Sequence, residues 1–267
     1  MIPYPYPELD FTFIFQVHNR EESIQELLTP FLDAQMAGLN CQLIVCNDGS
    51  TDRTGEKLQE IMNKSNDYRN TVLTLYDSWE IHLTWRAMQM AEGKICAWLQ
   101  DDDYYENMDF AIQAKRIFDT HPEIAAMCCK HGYNVSEGMR FLSSYGDYPS
   151  TNLSNHKSPN YNAEGYQLVM AVDRPPFMIR RKDYEAIGGL DRNLIVSAYS
   201  EPDICLTLGE QGKKVAVYRA DGFHFRYWHT TAYKPGCIGP DFHGHNGQLC
   251  AKKHQKYLSQ FNNRGAS

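Results

Sequence analysis

The sequence has no run of about 18 apolar residues, so it offers no segment that would span a membrane as a helix. Residues 1–7 lack the basic region and the apolar core of a signal peptide. We therefore expect a cytoplasmic protein.

Cysteine pairs with metal-binding or redox spacing are also missing, because the eight cysteines include no CxxC pair. Most of them lie in apolar runs that are typical of strands. We interpret them as free, buried thiols rather than as a disulfide framework.

Positive charge is scarce over most of the chain. There are 26 Lys and Arg against 33 Asp and Glu, a formal net charge of −7, which argues against a general nucleic-acid binder. The exception is the segment 212–267, which has nine basic residues, two acids and five of the ten histidines. Its charge is +7 and the rest of the chain carries −14. We expect this segment to fold back over acidic residues or to touch an anionic surface, such as the inner face of a membrane.

Glycine-rich phosphate-binding motifs are absent as well. The chain contains neither GxGxxG nor GxxxxGK[ST], which argues against dinucleotide-binding and P-loop proteins. A nucleotidyltransferase would need a basic, Gly-rich loop after the first strand, and residues 16–20 do not form one.

What the sequence does contain is an alternation of apolar runs and amphipathic segments. Strands are predicted at 11–17, 41–46, 71–76 and 95–99, and helices at 21–36, after 47–51 and at 83–92. Asn19 is expected to cap the first helix and Ser200 a later one. The alternation predicts an α/β fold with a mostly parallel, Rossmann-like sheet and helices on both faces.

Polar residues follow three of these strands, where ligands bind in such sheets, at 16–19, 47–50 and 100–103. Residues 100–109 contain five acids and no base. Adjacent carboxylates repel one another unless a cation lies among them, and hard oxygen ligands suit Mg²⁺ or Mn²⁺. The alternative is a solvated acidic turn that caps the next helix.

Two later features are candidates for chemistry. Glu201 is predicted in the first turn of a helix, where the dipole favours the ionised form that a general base needs, although acids are common there simply as helix starts. His224 and His229 flank an aromatic run in the basic segment. They are candidates for metal ligation or phosphate contact, or ordinary core or surface histidines.

Five stretches, taken together and in this order, resemble the family 2 glycosyltransferases. They are FIFQVHNREESIQELLTPFL (13–32), LIVCNDGSTDRT (43–54), AMQMAEGKICAWLQDDDYY (87–105), PPFMIRRKDYEAIGGLDRNL (175–194) and EPDICLTLGEQGKKVAVY (201–218). The resemblance implies a single GT-A domain over 1–267. It would comprise a nucleotide-sugar half at 1–110, an acceptor and catalytic half at 111–229 and a basic lid or tail at 230–267.

The resemblance also implies roles for particular residues. Glu201 matches the catalytic base, and Asp102 matches the metal-binding aspartate of the DXD motif, whose first position is Gln100 here. His229 or His224 would be a further metal ligand. Nucleotide contacts are expected from Gln16, His18, Asn19, Arg20, Asp48, Gly49, Arg86 and Asp101. Sugar or acceptor contacts are expected from Asp103, Trp98, Gly188, Gly189 and Asp203.

The activity implied by the resemblance is inverting transfer of a sugar from a nucleotide diphosphate donor, UDP-linked, with Mn²⁺ or Mg²⁺ as cofactor. The acceptor would be a hydroxyl of a glycan, a lipid-linked molecule or a small molecule. A nucleotide-sugar-binding protein with a degenerate site and a sugar nucleotidyltransferase are the alternatives.

Overall fold

The computed structural model describes residues 8–65, 67–76, 78–129, 131–134, 140–143, 156–157, 159–173, 176–196, 198–220, 223–225 and 242–262. Its strands are β1 Phe11–Val17, β2 Cys41–Asp48, β3 Thr71–Leu75, β4 Ile95–Gln100, β5 Asp103–Tyr105, β6 Ile124–Cys128, β7 His131–Asn134, β8 Arg140–Ser143, β9 His156–Lys157, β10 Tyr166–Val169, β11 Ala171–Asp173, β12 Phe177–Arg180, β13 Lys214–Tyr218 and β14 Phe223–Phe225. Its helices are α1 Ile24–Met36, α2 Thr54–Ser65, α3 Trp79–Met88, α4 Asp109–Thr120, α5 Arg181–Ala186, α6 Ser200–Glu210, α7 Phe242–Lys253 and α8 Gln255–Asn262.

Eight strands form the main sheet in the order β10-β13-β6-β12-β4-β1-β2-β3. The β4-β1-β2-β3 part is parallel, and β13 also runs parallel to β6. Strand β12 runs antiparallel between β4 and β6. The predicted α/β fold is confirmed.

The two faces of β1 explain how the helices are placed. Phe11, Phe13 and Phe15 point to the face that α1, α2 and α4 cover, whereas Ile14 points to the face covered by α3, α5 and α6. This is the period of two expected for a strand buried on both sides. The helices on either face therefore pack against a nearly continuous apolar strand.

An aromatic cluster joins the first face to the acidic stretch. The ring of Phe31 in α1 lies 5.0 Å from that of Phe13, 4.8 Å from Phe15 and 5.2 Å from Tyr105, measured between ring centroids. Edge-to-face pairs of this kind stabilise the fold in addition to the contribution of the area that the rings bury. Because Tyr105 ends β5, the cluster fixes the turn that carries Asp101 and Asp102.

The helix caps differ from the expected ones. Helix α1 begins at Ile24 after Ser23, so Asn19 does not cap it. Tyr199 precedes α6 with a φ of 65°, and the Ser200 hydroxyl donates to the Glu201 carboxylate instead of capping the helix. Asn19 bonds to Ser50 and Thr51 instead, and Ser200 bonds to its sequence neighbour Glu201, so neither side chain is used as a cap.

Cys41, Cys46, Cys96, Cys128, Cys129, Cys205 and Cys250 are buried and free. This confirms the interpretation of free thiols for the cysteines that the structure describes; Cys237 lies outside the described residues. Among the described helices, none has the length and apolar character needed to cross a membrane.

Gly93 allows two backbone segments to approach closely. A Cβ at this position would lie 2.2 Å from Phe11 C and 2.4 Å from Thr12 N. The Gly93 N–H also donates to Thr12 Oγ1 at 2.9 Å. Gly93→Ala should therefore force β1 and the start of β4 apart, and we expect it to lower the free energy of unfolding by about 3 kcal/mol. Denaturant unfolding measures the difference.

Gly55→Ala, at the start of α2, is the matched control. The nearest atom to its Cβ would be the side-chain amide nitrogen of Asn47, at 3.1 Å, and not a backbone atom. It should leave the stability close to that of the parent. Equal stability of the two variants would contradict the close approach at Gly93.

Candidate active site

The loops after β1 and β2 are tied together by Asn19. Its backbone N–H donates to Ser50 Oγ at 2.9 Å, and its Oδ1 accepts the Thr51 N–H at 2.8 Å. The φ of Asn19 is 52°, a left-handed conformation that Asn tolerates better than most residues. Asn19 thus holds the frame of the expected nucleotide site.

Arg20 and Asp101 join the β1 loop to the end of β4. Arg20 Nη2 donates to Asp101 Oδ1 at 3.1 Å, and Arg20 Nε lies 3.0 Å from Oδ2. The His18 N–H also donates to Oδ2, at 3.0 Å. Burial raises the pKa of Asp101, and the nearby Arg20 guanidinium opposes that rise. Both carboxylate oxygens of Asp101 are thus bonded within the protein.

His18 and Asp48 meet at the same edge of the sheet. The His18 Nδ1 lies 2.6 Å from the Asp48 carbonyl oxygen, so this nitrogen carries the proton and donates it. The Asp48 Oδ1 accepts the Ser78 N–H at 2.7 Å, just before α3. Gly49 makes the turn with a φ of 59°. The structure therefore brings together His18, Asn19, Arg20, Asp48, Gly49 and Asp101.

Gln16 and Arg86 point elsewhere. The Gln16 amide donates to the Glu80 carbonyl at 3.1 Å and also to the Thr84 hydroxyl, so it binds α3. Arg86 is on the exposed side of α3, with its guanidinium 4.9 Å from the centroid of the Trp85 ring. Thr84 takes the inward position on this helix, and the contact of Arg86 with the nucleotide stays a prediction.

Asp102 has the feature expected of a cation ligand. Its Oδ1 is buried and has no hydrogen-bond partner among the residues that the structure describes. A buried carboxylate oxygen without a partner is costly, and a divalent cation would satisfy it. Asp102 therefore fits the metal that the fold implies. The neighbouring Asp103 is buried and accepts the Tyr105 hydroxyl at 3.4 Å.

The basic segment reaches the acidic turn through one short strand. Strand β14 pairs with β5, which places the backbone of His224 opposite Tyr104 and that of Phe225 opposite Asp103. His224 is thus opposite a residue that comes two positions after Asp102 in the chain. His229 lies outside the described residues. Further along the described part of this segment, Lys253 and His254 contact Asp203 on α6.

Glu201 is buried at the start of α6. The Ser200 hydroxyl donates to its Oε2 at 2.7 Å. Burial raises the pKa of Glu201 to about 8, and the negative charges of Glu80 and Asp173 add to the rise. The expectation that the helix start favours the ionised form is therefore wrong in direction. No sequence pattern indicates that Glu80 and Asp173 lie close enough to act on this carboxylate.

Asp203, expected near the sugar or the acceptor, lies in an ion-pair cluster. Lys253 Nζ donates to its Oδ2 at 2.7 Å and His254 Nε2 lies 3.0 Å from its Oδ1. Asp203, Cys250 and His254 place possible ligand atoms within 4.8 Å of one another, but Lys253 already supplies positive charge to Asp203. Burial lowers the pKa of His254, and hydrogen bonds to Asp203 and Glu210 outweigh this and raise it.

Trp98 belongs to the core and not to a sugar site. It is buried, its indole N–H points at Met88 Sδ, and its ring centroid lies 4.8 Å from that of Phe177. Gly188 and Gly189 end α5 with φ values of 84° and 78°. Their contact with sugar or acceptor stays a prediction.

Comparison with known proteins adds the following. The family model "Glycosyl transferase family 2" matches residues 12–188. No curated protein matches the chain in sequence. Among solved structures, S. aureus TarS 1-349 in complex with UDP-GlcNAc is similar with a TM-score of 0.66 and 15% identity, over 96% of this chain and 72% of that one.

GalNAc-T7 with UDP, GalNAc and Mn²⁺ gives a TM-score of 0.61 and 14% identity, over 81% of this chain and 45% of that one. The mannosyltransferase PcManGT from Pyrobaculum calidifontis, in complex with GDP-Man and Mn²⁺, gives 0.57 and 14% identity, over 81% and 56%. At these identities the likeness shows the fold.

The raised pKa of Glu201 has a consequence for stability. The folded protein holds the Glu201 proton up to about pH 8, whereas the unfolded chain releases it near the ordinary value of 4.5. Stability from this group is complete below pH 4.5 and is lost as the pH rises through 8, by at most ~1.4 kcal/mol per pH unit. Glu201→Gln should therefore become more stable than the parent as the pH increases.

Denaturant unfolding between pH 5 and pH 9 measures this difference. Glu60→Gln is the control, because Glu60 is exposed on α2. A stability difference for Glu201→Gln that stays constant with pH would show that the carboxyl is not held protonated.

Proposed function

The chain belongs to glycosyl transferase family 2, and from that premise we propose that it transfers a sugar from UDP to an acceptor hydroxyl, with inversion at the anomeric carbon. It is a glycosyltransferase. The observation that carries the proposal is the buried Oδ1 of Asp102, which has no partner within the described part of the chain and lies at the edge where β1, β2 and β4 end. A diphosphate held through a cation would bind at that edge.

The donor would bind to the loops that Asn19 ties together. His18 and Asp48 lie at the ends of β1 and β2, where the base of the nucleotide would fit, and Gly49 lets the chain turn beside it. The ion pair between Arg20 and Asp101 connects the loop after β1 to the end of β4. A uracil base is supported by the UDP and UDP-GlcNAc named for the TarS complexes, which share the fold.

Asp102 would hold the divalent cation, with His224 or His229 as a further ligand. Mn²⁺ is supported by its presence in the GalNAc-T7 and PcManGT complexes, and Mg²⁺ is an alternative with the same preference for oxygen ligands. When bound, the cation supplies positive charge to the leaving diphosphate. Asp103 holds the turn through the Tyr105 hydroxyl.

Glu201 would act as the general base. The acceptor oxygen forms a bond to the anomeric carbon while the bond from that carbon to the diphosphate oxygen breaks, and the hydroxyl proton passes to Glu201. The Ser200 hydroxyl orients the carboxylate through Oε2. A pKa of about 8 makes the carboxylate a stronger base than an exposed glutamate.

The acceptor remains a class: a glycan, a lipid-linked molecule or a small molecule with a free hydroxyl. Gly188 and Gly189 would lie on that side, and the basic residues of the C-terminal segment would support contact with an anionic membrane surface. We also propose a cytoplasmic location, with the basic segment at the inner face of a membrane.

Glu201→Gln should abolish transfer and leave donor binding intact. The amide can still accept the Ser200 hydrogen bond but cannot take a proton, so we expect kcat to fall about 10²- to 10⁴-fold. Steady-state transfer from UDP-sugars measures kcat, and calorimetric titration with UDP and Mn²⁺ measures binding. Glu60→Gln should behave as the parent. Transfer at the parental rate by Glu201→Gln would rule out this residue as the base.

Asp102→Asn should remove the dependence of UDP binding on Mn²⁺. The amide keeps the shape of the side chain but loses the charge that holds the cation, so kcat/KM should fall about 100-fold. The rise in Tm that Mn²⁺ adds to UDP should disappear too. Asp109→Asn is the control, because Asp109 is an exposed acid of the same stretch. An unchanged Mn²⁺ effect in Asp102→Asn would contradict the metal assignment.

A further inference from the structure

The residues before α6 have a backbone conformation that L-amino acids rarely adopt. Val196, Ala198 and Tyr199 have φ values of 63°, 69° and 65°. This conformation costs free energy in any residue with a Cβ, and most in a β-branched one, so surrounding contacts must hold it. Ser200 and Glu201 follow directly, which means that this segment determines where α6 begins.

Asn246 of α7 is fully buried, and its side chain forms hydrogen bonds to this segment. Its side-chain NH₂ donates to the Ile195 carbonyl at 2.8 Å and to the Ala198 carbonyl at 3.2 Å. Its Oδ1 accepts the Ile195 N–H at 3.0 Å. Removing the amide would take these partners away from the backbone on both sides of Val196.

The contacts next to Asn246 act on the same elements. A Cβ at Gly247 would lie 3.1 Å from Cζ and Oη of Tyr199, so α7 packs directly on this ring. About two helix turns further on, Lys253 and His254 bind Asp203, two residues after Glu201. Helix α7 thus touches both the segment that precedes Glu201 and the helix that carries it.

We infer that Asn246 is a positioning residue: its hydrogen bonds hold Val196, Ala198 and Tyr199 in the left-handed conformation that places Glu201 for proton transfer. The inference rests on the proposed role of Glu201 as the base. Positioning matters at this site because a small displacement of a catalytic group can cost a large factor in rate. Donor binding depends on the loops after β1, β2 and β4 and should be unaffected.

Asn246→Ala should lower kcat about ten-fold or more, while the KM for the UDP-sugar stays within about two-fold. The pH profile should change as well. Glu201 faces Ser200 on its own helix, Glu80 from α3 and Asp173 from β11, and burial raises its pKa to about 8. In Asn246→Ala, α6 should be held less firmly and water should reach Glu201, which lowers the pKa of this carboxyl. The rising limb of kcat against pH should therefore move to lower pH. A merely structural role would lower Tm without moving this limb.

Ala198→Gly tests the cause of the defect. Glycine adopts a positive φ without the cost of a Cβ, so adding this change to Asn246→Ala should restore part of kcat and return the pH limb toward its parental position. Ala34→Gly in α1 is the control for the glycine, and Asn63→Ala, an exposed position on α2, is the control for the asparagine. Ala34→Gly should not restore kcat in the Asn246→Ala variant, and Asn63→Ala should not lower kcat in the parent.

Should the Asn246→Ala chain fail to fold, Gly247→Ala tests the same contact more mildly by pressing on Tyr199. It should lower kcat and spare donor binding. A parental kcat and pH profile in whichever of these variants folds would overturn the positioning role. The two proposals fail separately: an active Glu201→Gln overturns the base, whereas an inactive Glu201→Gln with unaffected Asn246 and Gly247 variants overturns only the positioning.

Discussion

The parallel register of β1 between β2 and β4 decides where the donor-side groups lie. Gln16 is level with Cys46 on one side and Gln100 on the other, so the chain leaves all three strands at the same edge of the sheet. Asn19 and Arg20 then bond across to the neighbouring loops. Both oxygens of Asp101 are bonded to the β1 loop. Asp102, the next residue, has a buried oxygen that bonds to none of the described residues.

Two buried carboxylates on α6 show how surroundings set the state of an acid. Glu201 and Asp203 are two residues apart and therefore about 200° apart around the helix. Asp203 pairs with the ammonium group of Lys253 and also contacts the His254 ring, whereas Glu201 meets the negative charges of Glu80 and Asp173. A helix start contributes about 0.3–1 kcal/mol to an anion, less than one pKa unit, which is ~1.4 kcal/mol. Burial therefore outweighs the dipole at Glu201.

Hydrophobic alternation and the ordered motifs were enough to predict the fold and most of the donor-side loops. The same reasoning could not tell which side chains face the site. Gln16 and His18 look equivalent in the sequence, yet Gln16 binds α3 and His18 binds the Asp48 carbonyl. The directions of Trp98 and Arg86 depend on packing against Phe177 and Trp85, which a sequence pattern does not reveal. Asn246 carries no local signal at all, since its partners are about 50 residues earlier in the chain.

The place of β12 in the sheet also determines the order in which the molecule can be assembled. Strand β4 has β1 on one side, and its other edge is closed only by β12, whose residues 177–180 are made long after residues 95–100. Strand β6 waits for the same four residues. During synthesis both strands therefore present open edges, which attract other extended chains. The nascent polypeptide depends on a late, short insertion to join the two parts of its sheet, and until then it is exposed to misassociation.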